Sequence, residues 1–221
     1  MRAAIVVFPG SNRERDMALA MRRAFGAEPL HIWHKETTLP DIDLLALPGG
    51  FSFGDYLRPG AIAARSPIMA AVRAHAEAGR PLLGVCNGFQ ILIEAGLLEG
   101  ALLRNAELKF VCRRTTLVCG TADSPFTRGM RPGVSRMTVP VAHHDGGYFV
   151  TPDQKKMLED EDRIAFRYTG GDNPNGSTAD IAGVLNQGRN VLGLMPHPEN
   201  ATDPLAGGED GLALFKSLLA A

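Results

Sequence analysis

Apolar segments of strand length alternate with amphipathic helical segments through the first hundred residues of this 221-residue chain. The strand-like segments are short, almost uninterrupted apolar runs, which are typical of strands buried on both faces of a parallel sheet. This alternation predicts an α/β fold, an open and mostly parallel sheet with helices on both faces. The predicted strands are residues 3–8, 30–33, 43–47 and 82–85, and the predicted helices are residues 12–26, 66–79 and 87–95.

From about residue 101 the pattern changes to short strand-like runs without long helices between them. This texture predicts an antiparallel extension of the same sheet or a small second sheet. The runs are residues 110–118, 135–141, 148–150 and 164–168, followed by 181–185 paired with 191–195 across a turn, and a last helix at 212–219. Because neither a repeat nor a linker divides the chain, we expect residues 1–221 to form one domain.

The charge of the chain is almost balanced, with 23 Lys and Arg residues against 24 Asp and Glu residues. Such a balance provides no strong basic field for nucleic acid or for an anionic membrane. No apolar run approaches the ~18 residues that cross a bilayer, and the N-terminal run is too short for a signal peptide. The three cysteines form no CxxC pair, which fits a reducing compartment. We therefore expect a cytoplasmic protein that binds neither nucleic acid nor membrane.

The sequence Gly-Val-Cys-Asn-Gly at residues 84–88 lies between a predicted strand and a predicted helix. It matches the nucleophile-elbow pattern G-x-S-x-G with sulfur in place of oxygen. Gly84 and Gly88 provide the space that an abrupt strand-to-helix turn needs, and the positive end of the helix dipole favours a Cys86 thiolate. The pattern predicts that Cys86 is a catalytic nucleophile. The alternative is a buried structural cysteine between two incidental glycines.

A cysteine nucleophile requires a base, and the base requires a group that orients it. In Met-Pro-His-Pro-Glu at residues 195–199, two prolines favour an extended backbone, in which His197 and Glu199 point to the same side. The segment follows a predicted strand, and sites in α/β sheets lie at the carboxyl ends of strands. We predict that His197 is the base and that Glu199 orients it. The alternative is a surface histidine in a proline-rich turn.

Other ionisable residues carry weaker signals. The group formed by His143, His144 and Asp145 could supply a competing base. Adjacent histidines on a strand point to opposite faces and no third ligand is obvious, so no metal site is predicted. Cys112 and Cys119 lie in strand-like sequence without flanking glycines, and we interpret both as structural.

The turn Pro-Gly-Gly-Phe at residues 48–51 follows the third predicted strand. Attack of a thiolate on an acyl carbon places negative charge on the carbonyl oxygen, and backbone N–H groups aimed by a glycine turn stabilise it. The N–H groups of Gly50 or Phe51, with that of Asn87, form the candidate oxyanion hole; an ordinary glycine turn is the alternative. Since neither a P-loop nor a Rossmann fingerprint occurs, no nucleotide or cofactor site is predicted in this chain.

Five motifs give the chain a resemblance to the class I, triad-type glutamine amidotransferases. Within that class it resembles the family of small glutaminase subunits of phosphoribosylformylglycinamidine synthases. The motifs are FPGSN at 8–12, LPGGFSFGDYLRPG at 47–60, GVCNGFQ at 84–90, NPNGS at 173–177 and MPHPE at 195–199. The chain departs from the family at residues 144–146, where His-Asp-Gly replaces the usual Gly-Glu-Gly.

The resemblance implies a flavodoxin-like α/β core and hydrolysis of glutamine to glutamate and ammonia through a cysteine thioester. In that scheme Cys86 attacks the side-chain amide, His197 transfers protons and Glu199 orients His197. The likeness also implies that Gln90 binds the α-substituents of glutamine, and that the loop at Phe51 and the stretch near His143 form the other walls of the glutamine pocket. No cofactor is implied for this chain.

The family also implies partners. Its large synthetase subunit uses ATP and Mg to convert formylglycinamide ribonucleotide to formylglycinamidine ribonucleotide in purine biosynthesis. That subunit receives the ammonia through a channel, and a small protein usually bridges the two. Loops 51–58 and 172–177 are our candidates for the partner surface. Three alternatives stay open: a subunit feeding another synthase, a stand-alone cysteine hydrolase of related fold, and a non-catalytic regulatory module.

Overall fold

The computed structural model describes residues 1–169 and 171–219, and within them a nine-stranded sheet and a two-stranded sheet are formed. Elements are numbered in chain order. The strands are β1 (Ala3–Val7), β2 (Leu30–Trp33), β3 (Leu44–Leu47), β4 (Leu82–Val85), β5 (Ala101–Leu103), β6 (Val111–Cys119), β7 (Arg136–His143), β8 (Gly147–Phe149), β9 (Ile164–Tyr168), β10 (Ile181–Leu185) and β11 (Val191–Leu194). The helices are α1 (Glu14–Phe25), α2 (Met69–Glu77), α3 (Asn87–Glu94), α4 (Pro152–Asp160) and α5 (Leu212–Ser217).

The large sheet has the strand order β2-β1-β3-β4-β11-β10-β9-β6-β7. The first five strands in this order, β2, β1, β3, β4 and β11, are parallel to one another. The remaining four, β10, β9, β6 and β7, each pair antiparallel with the strand before them in the sheet. Both alternatives predicted for the second half occur, because the sheet is extended and β5 pairs with β8 in a small second sheet. The predicted α/β fold with an antiparallel extension is confirmed.

The apolar character of the parallel strands follows from their position in the sheet. Every residue of the central strands β3 and β4 is buried. Edge strand β2 instead buries only Ile32 of its four residues, as expected where one side lacks a neighbour. Helices of 8 to 12 residues connect the strands, and α1 buries Met17 and Met21. None of the helices in the described part of the chain combines the length and hydropathy that spanning a bilayer demands.

The first helix begins later than the sequence predicts. Helix α1 starts at Glu14, because the N–H groups of Asn12 and Arg13 donate to the Gly49 carbonyl at 3.3 and 3.2 Å. The segment therefore binds the turn after β3 instead of capping the helix. Gly26 ends α1 in the left-handed conformation, with φ 72°, as predicted.

Helix α4 contradicts the expectation that no long helix separates the strands of the second half. A capping box begins it: Gln154 N donates to Thr151 Oγ1 at 3.2 Å, and Thr151 N donates to Gln154 Oε1 at 3.0 Å. Pro152 occupies the first turn, where its missing N–H costs nothing. The pattern Thr-Pro-Asp-Gln is a local signal that identifies this helix from sequence alone.

Candidate active site

Cys86 is held in a strained turn between β4 and α3. Its backbone has φ 52° and ψ −107°, which a residue with a side chain rarely adopts. A Cβ atom at Gly84 would lie 2.7 Å from the Gly88 carbonyl oxygen, and one at Gly88 would lie 1.9 Å from that of Leu47. The two glycines are therefore required by close backbone packing, and the predicted elbow geometry is present.

The pairing of β11 with β4 brings the second predicted group to the elbow. These strands are parallel, with Leu194 opposite Val85, and Cys86 N donates to the Leu194 carbonyl at 2.8 Å. Residues after β11 therefore leave the sheet at the same edge as Cys86. His197 and Cys86 line one cavity of about 190 Å³.

His197 and Glu199 form a buried pair. The distance from His197 Nδ1 to Glu199 Oε1 is 2.7 Å, and each residue is only 3% exposed. The backbone is not the extended segment that the two prolines predict, because a 3₁₀ turn begins at Pro198. The predicted side-chain contact nevertheless forms.

The charge state of His197 follows from this pairing. Burial lowers the pKa of His197, but the charges of Glu199 and Cys86 outweigh it and raise the pKa to about 10. The ring is therefore an imidazolium at neutral pH. Its Nε2 atom is buried and, within the described residues, makes no hydrogen bond. A proton on Nε2 is thus available in the cavity that holds Cys86.

Two of the three predicted oxyanion donors remain available. Neither the Gly50 N–H nor the Asn87 N–H donates a hydrogen bond within the described part of the chain. Gly50 has φ 154°, and a Cβ atom there would lie 2.7 Å from the Gly10 carbonyl oxygen. The prediction is wrong for the Phe51 N–H, because it donates to Gly10 O at 3.0 Å in a short antiparallel bridge.

Phe51, Gln90 and His143 all line the cavity, as their predicted place in the pocket requires. Phe51 is half-exposed, while Gln90 and His143 are buried. The Gln90 amide is engaged: Oε1 accepts from Asn87 Nδ2 and Nε2 donates to the Asp145 carbonyl, each at 2.8 Å. Gln90 therefore presents few free hydrogen-bonding positions to a ligand.

His143 is fixed on both sides of its ring. Nδ1 lies 3.1 Å from Asn105 Oδ1, and Nε2 lies 3.4 Å from Asn175 Nδ2. Burial, with a contribution from the charge of His197, lowers the pKa of His143 to about 4. A neutral ring bonded to two amides is a poor competitor for the role of base. Within residues 1–169 and 171–219, no group of three or more His, Cys, Asp or Glu residues is placed to hold a metal ion.

The loop 172–177 does not form the continuous partner surface that we expected. Asn175 and Ser177 are buried, and Asn175 Nδ2 donates to Tyr168 Oη at 3.0 Å. Asn173 Oδ1 accepts from the N–H groups of residues 175–177 at 2.9 to 3.3 Å. The NPNGS motif therefore helps to hold the His143 ring in place through Asn175. Its asparagines, which favour such local bonds, were the available signal.

The other two cysteines differ from each other. Cys119 is buried, its Sγ lies 3.1 Å from the Thr121 carbonyl, and burial raises its pKa to about 11, which fits a structural residue. Cys112 is exposed on β6, so packing in the core does not explain it.

The cavity is also lined by Asp55, His144 and Asp145, of which the sequence analysis singled out only the last two.

Comparison with known proteins agrees with this geometry. The family described as "CobB/CobQ-like glutamine amidotransferase domain" matches residues 1–208. A protein of Cereibacter sphaeroides named phosphoribosylformylglycinamidine synthase subunit PurQ is 57% identical over 220 residues, which cover 99% of this chain and 97% of that protein.

Solved structures point in the same direction. The structure described as "Structure of PurLQS from Thermotoga maritima" contains a chain with TM-score 0.89 and 45% identity, covering 99% of this chain and 97% of that one. A further glutamine amidotransferase from Thermotoga maritima, at TM-score 0.61 and 16% identity over 99% of this chain and 96% of that one, shares the fold. This chain belongs to the glutamine amidotransferase family and, within it, to the family of phosphoribosylformylglycinamidine synthase PurQ subunits.

Proposed function

We propose that this chain is the glutaminase subunit of a cytoplasmic phosphoribosylformylglycinamidine synthase. It hydrolyses glutamine to glutamate and ammonia and passes the ammonia to a synthetase subunit. That subunit uses ATP and Mg to make formylglycinamidine ribonucleotide, and a small third subunit bridges the two. The observation that carries the proposal is the cavity that Cys86 and His197 share, with Glu199 paired to His197 behind it, in a chain 57% identical to a named PurQ subunit.

The reaction proceeds in two acyl-transfer steps. The Cys86 thiolate attacks the carboxamide carbon, and the oxygen takes up negative charge beside the Gly50 and Asn87 N–H groups. The His197 imidazolium donates the Nε2 proton to the nitrogen, so that the C–N bond breaks and ammonia leaves. Neutral His197 then removes a proton from water, which attacks the thioester. Glutamate leaves, and the thiolate–imidazolium pair is restored.

Reconstitution tests the assignment. Glutamate release would be measured for the chain alone, and then with the synthetase subunit, the bridging subunit, ATP and formylglycinamide ribonucleotide. We expect low activity alone and strong stimulation by the mixture, because a free glutaminase would waste glutamine. Cysteine-dependent activity that ignores the mixture would discard the pathway and favour a stand-alone hydrolase. A subunit feeding another synthase would instead respond to that synthase.

Replacing Glu199 by glutamine is expected to lower kcat by about 10²- to 10⁴-fold, because the buried carboxylate charge holds the His197 proton.

The His197–Glu199 pair also stabilises the fold. Since the pKa of His197 is raised to about 10, this contribution is complete below the unfolded-state value of about 6.5 and is lost as the pH rises through about 10. Denaturant midpoints at several pH values would measure it.

The exposed Glu209, substituted by glutamine, is the matched control and should change neither kcat nor the midpoint. A Glu199→Gln protein with wild-type kcat would remove Glu199 from the mechanism. A stability difference from wild type that does not shrink between pH 7 and 10 would contradict the charged pair.

The loop 51–58 exposes apolar side chains, as expected of the partner surface that we propose. Tyr56 and Leu57 are 75% and 83% exposed, and they directly follow Asp55, which lines the cavity together with the half-exposed Phe51. Exposed apolar clusters of this kind mark interaction sites. Arg58 lies next to them and forms a bidentate ion pair with Glu94, with distances of 2.9 and 2.5 Å.

Replacing Arg58 by glutamate is expected to weaken assembly with the synthetase subunits by about 10-fold or more, because a like charge then faces Glu94 and the charge of the proposed surface is reversed. Sedimentation or sizing chromatography at several concentrations would measure the dissociation constant. Glu94→Gln is the control, since it removes the same internal ion pair but keeps Arg58. Equal weakening by both variants would show that only the internal pair matters, and unchanged assembly would exclude this surface.

A further inference from the structure

The segment that follows β3, residues 49–55, has a strained backbone. Phe53, Gly54 and Asp55 follow one another with φ of 55°, 73° and 53°, and only the glycine adopts such a value without strain. A residue with a side chain persists in this conformation only where the surrounding contacts hold it there. The same segment carries the Gly50 N–H group, one of the two candidate oxyanion donors that remain available. The contacts that hold the segment therefore decide where this donor lies.

On one side the segment is held by the chain that follows β1. The Phe51 N–H donates to the Gly10 carbonyl at 3.0 Å, and the Phe53 N–H donates to the Pro9 carbonyl at 2.7 Å. These bonds fix the segment relative to β1. They do not connect it to the turn between β4 and α3, which carries Cys86. A second contact is needed to fix the segment relative to the nucleophile.

The side chain of Asn87 makes that second contact. Its Oδ1 accepts a hydrogen bond from Ser52 N at 3.0 Å, while its Nδ2 donates to Asp55 Oδ1 at 3.3 Å and to Gln90 Oε1 at 2.8 Å. The orientation of the amide is determined, because a backbone N–H can only donate and both partners of Nδ2 are oxygen atoms. Within the described part of the chain, no other residue of the elbow hydrogen-bonds to the strained segment.

The Asn87 amide holds protein groups in place. The residue is only 1% exposed, and each of its three side-chain bonds joins it to another residue of the chain. Ser52 contributes only its backbone, since its buried Oγ has no hydrogen-bond partner among the described residues. The bond from Ser52 N is also the shorter of the two that connect Asn87 to the segment. It therefore carries most of the connection.

We propose that the Asn87 side chain is a positioning residue, which holds the Gly50 oxyanion donor at a fixed place relative to Cys86 through its bond to Ser52 N. The inference rests on the proposed function, in which the oxyanion forms on the carboxamide of glutamine. Without the bond, the segment relaxes and the Gly50 N–H moves away from the oxygen that takes up the charge. Because this donor acts in the transition state, its displacement lowers kcat and leaves KM almost unchanged.

Two reagents that react differently with Cys86 test the inference on the full chain. Acylation by p-nitrophenyl acetate passes through a tetrahedral oxyanion before the C–S bond is complete and p-nitrophenolate leaves. Alkylation by iodoacetamide displaces iodide at a saturated carbon, and no oxyanion forms. In Asn87→Ala we expect acylation to slow by about 10-fold or more, while alkylation stays within about 2-fold of the wild type. Both rates are measured in a Cys112→Ala background, because Cys112 is exposed.

The reconstituted complex supplies the corresponding test with glutamine. For Asn87→Ala we expect kcat to fall about 100-fold and KM to change less than about 3-fold. The other bond of Asn87, to Gln90, gives the opposite pattern, because Gln90 lines the cavity that receives the substrate. A loss that lies mainly in KM, with unchanged acylation by p-nitrophenyl acetate, would overturn the inference.

Asn190→Ala is the matched control. Asn190 is buried and also makes three side-chain hydrogen bonds, with Ala76 O, Arg80 O and Asn186 Nδ2. It precedes β11, at the opposite end of the strands from Cys86. This variant should lose stability in thermal unfolding, as Asn87→Ala does, but acylate at the wild-type rate.

Ser52→Pro breaks the same bond from the other side. Proline has no N–H, its ring occupies the place of that group, and Ser52 lies at the first position of a 3₁₀ turn, where proline is tolerated. This variant should slow acylation as Asn87→Ala does, and the double variant should show no further loss, because both changes remove one bond. It also provides the test if Asn87→Ala does not fold.

The possible results separate positioning from general damage. Acylation and alkylation slowed by the same factor, additive losses in the double variant, or acylation of Asn87→Ala at the wild-type rate would each overturn the inference. A wild-type chain that is acylated at Cys86, but whose complex does not hydrolyse glutamine, would instead overturn the proposed function. The two acylation rates would then still decide the role of Asn87.

Discussion

Replacing Cys86 by alanine is expected to lower glutamate release by the reconstituted complex by about 10⁴-fold or more. No other side chain in the cavity has its combination of a thiol and a position beside His197. Alanine keeps the Cβ atom that the strained backbone already accommodates at φ 52°, so the fold should persist. The loss would therefore report chemistry.

The same complex supplies a direct control for this prediction. Added ammonium ions should still support ATP-dependent synthesis in the Cys86→Ala complex, because only the source of ammonia is lost. Cys112→Ala, at an exposed position on β6, should retain full glutamine-dependent activity. Residual glutaminase activity near the wild-type level would exclude a Cys86 thioester. Loss of the ammonium-dependent reaction as well would indicate failed assembly.

Replacing Gly88 by alanine is expected to have the largest effect on stability. In an ordinary helix this change stabilises by up to about 1 kcal/mol. Here the new Cβ atom would lie 1.9 Å from the Leu47 carbonyl oxygen, which is backbone of a central strand and cannot rotate away. We expect destabilisation by about 3 kcal/mol, which for a chain of this size lowers Tm by roughly 6–12 °C. Displacement of the elbow should also reduce kcat by about 100-fold.

Thermal unfolding and kcat of Gly88→Ala would be compared with those of Gly79→Ala. Gly79 follows α2, a Cβ atom added there would meet nothing within 4 Å, and the substitution carries only the strain of φ 74°. That control should cost about 1–2 kcal/mol and leave kcat unchanged. A Gly88→Ala protein as stable and as active as the wild type would mean that the elbow does not depend on this close approach.

Much of the candidate site could be predicted because its signals are local. The elbow is defined by glycines two residues before and after Cys86, and the His197–Glu199 contact spans two residues. The residue types of each signal lie within a few positions of one another, so each can be recognised in the sequence. The capping box of α4 is equally local, so the failure to predict that helix reflects an overlooked pattern and not missing information.

Other errors arose from contacts between distant segments. Asn12 was predicted to cap helix α1, but the N–H groups of Asn12 and Arg13 donate to the Gly49 carbonyl. The Phe51 N–H reads as a free oxyanion donor, but it bonds to Gly10. The NPNGS turn was predicted to be a partner surface, but Asn175 is buried and donates a hydrogen bond to Tyr168. In each case a backbone or amide group found its partner across the fold.

The sequence by itself determined the alternating α/β elements, the Cys86 elbow and the orientation of His197 by Glu199. Hydrophobic period, glycine spacing and side-chain reach act over a few residues and can be read directly. The tertiary structure alone decided that β11 lies beside β4, which places His197 at Cys86, and that Asp55 and Asp145 line the same cavity. Strand order and cavity walls result from burial and hydrogen bonding among distant segments, and no local spacing encodes those contacts.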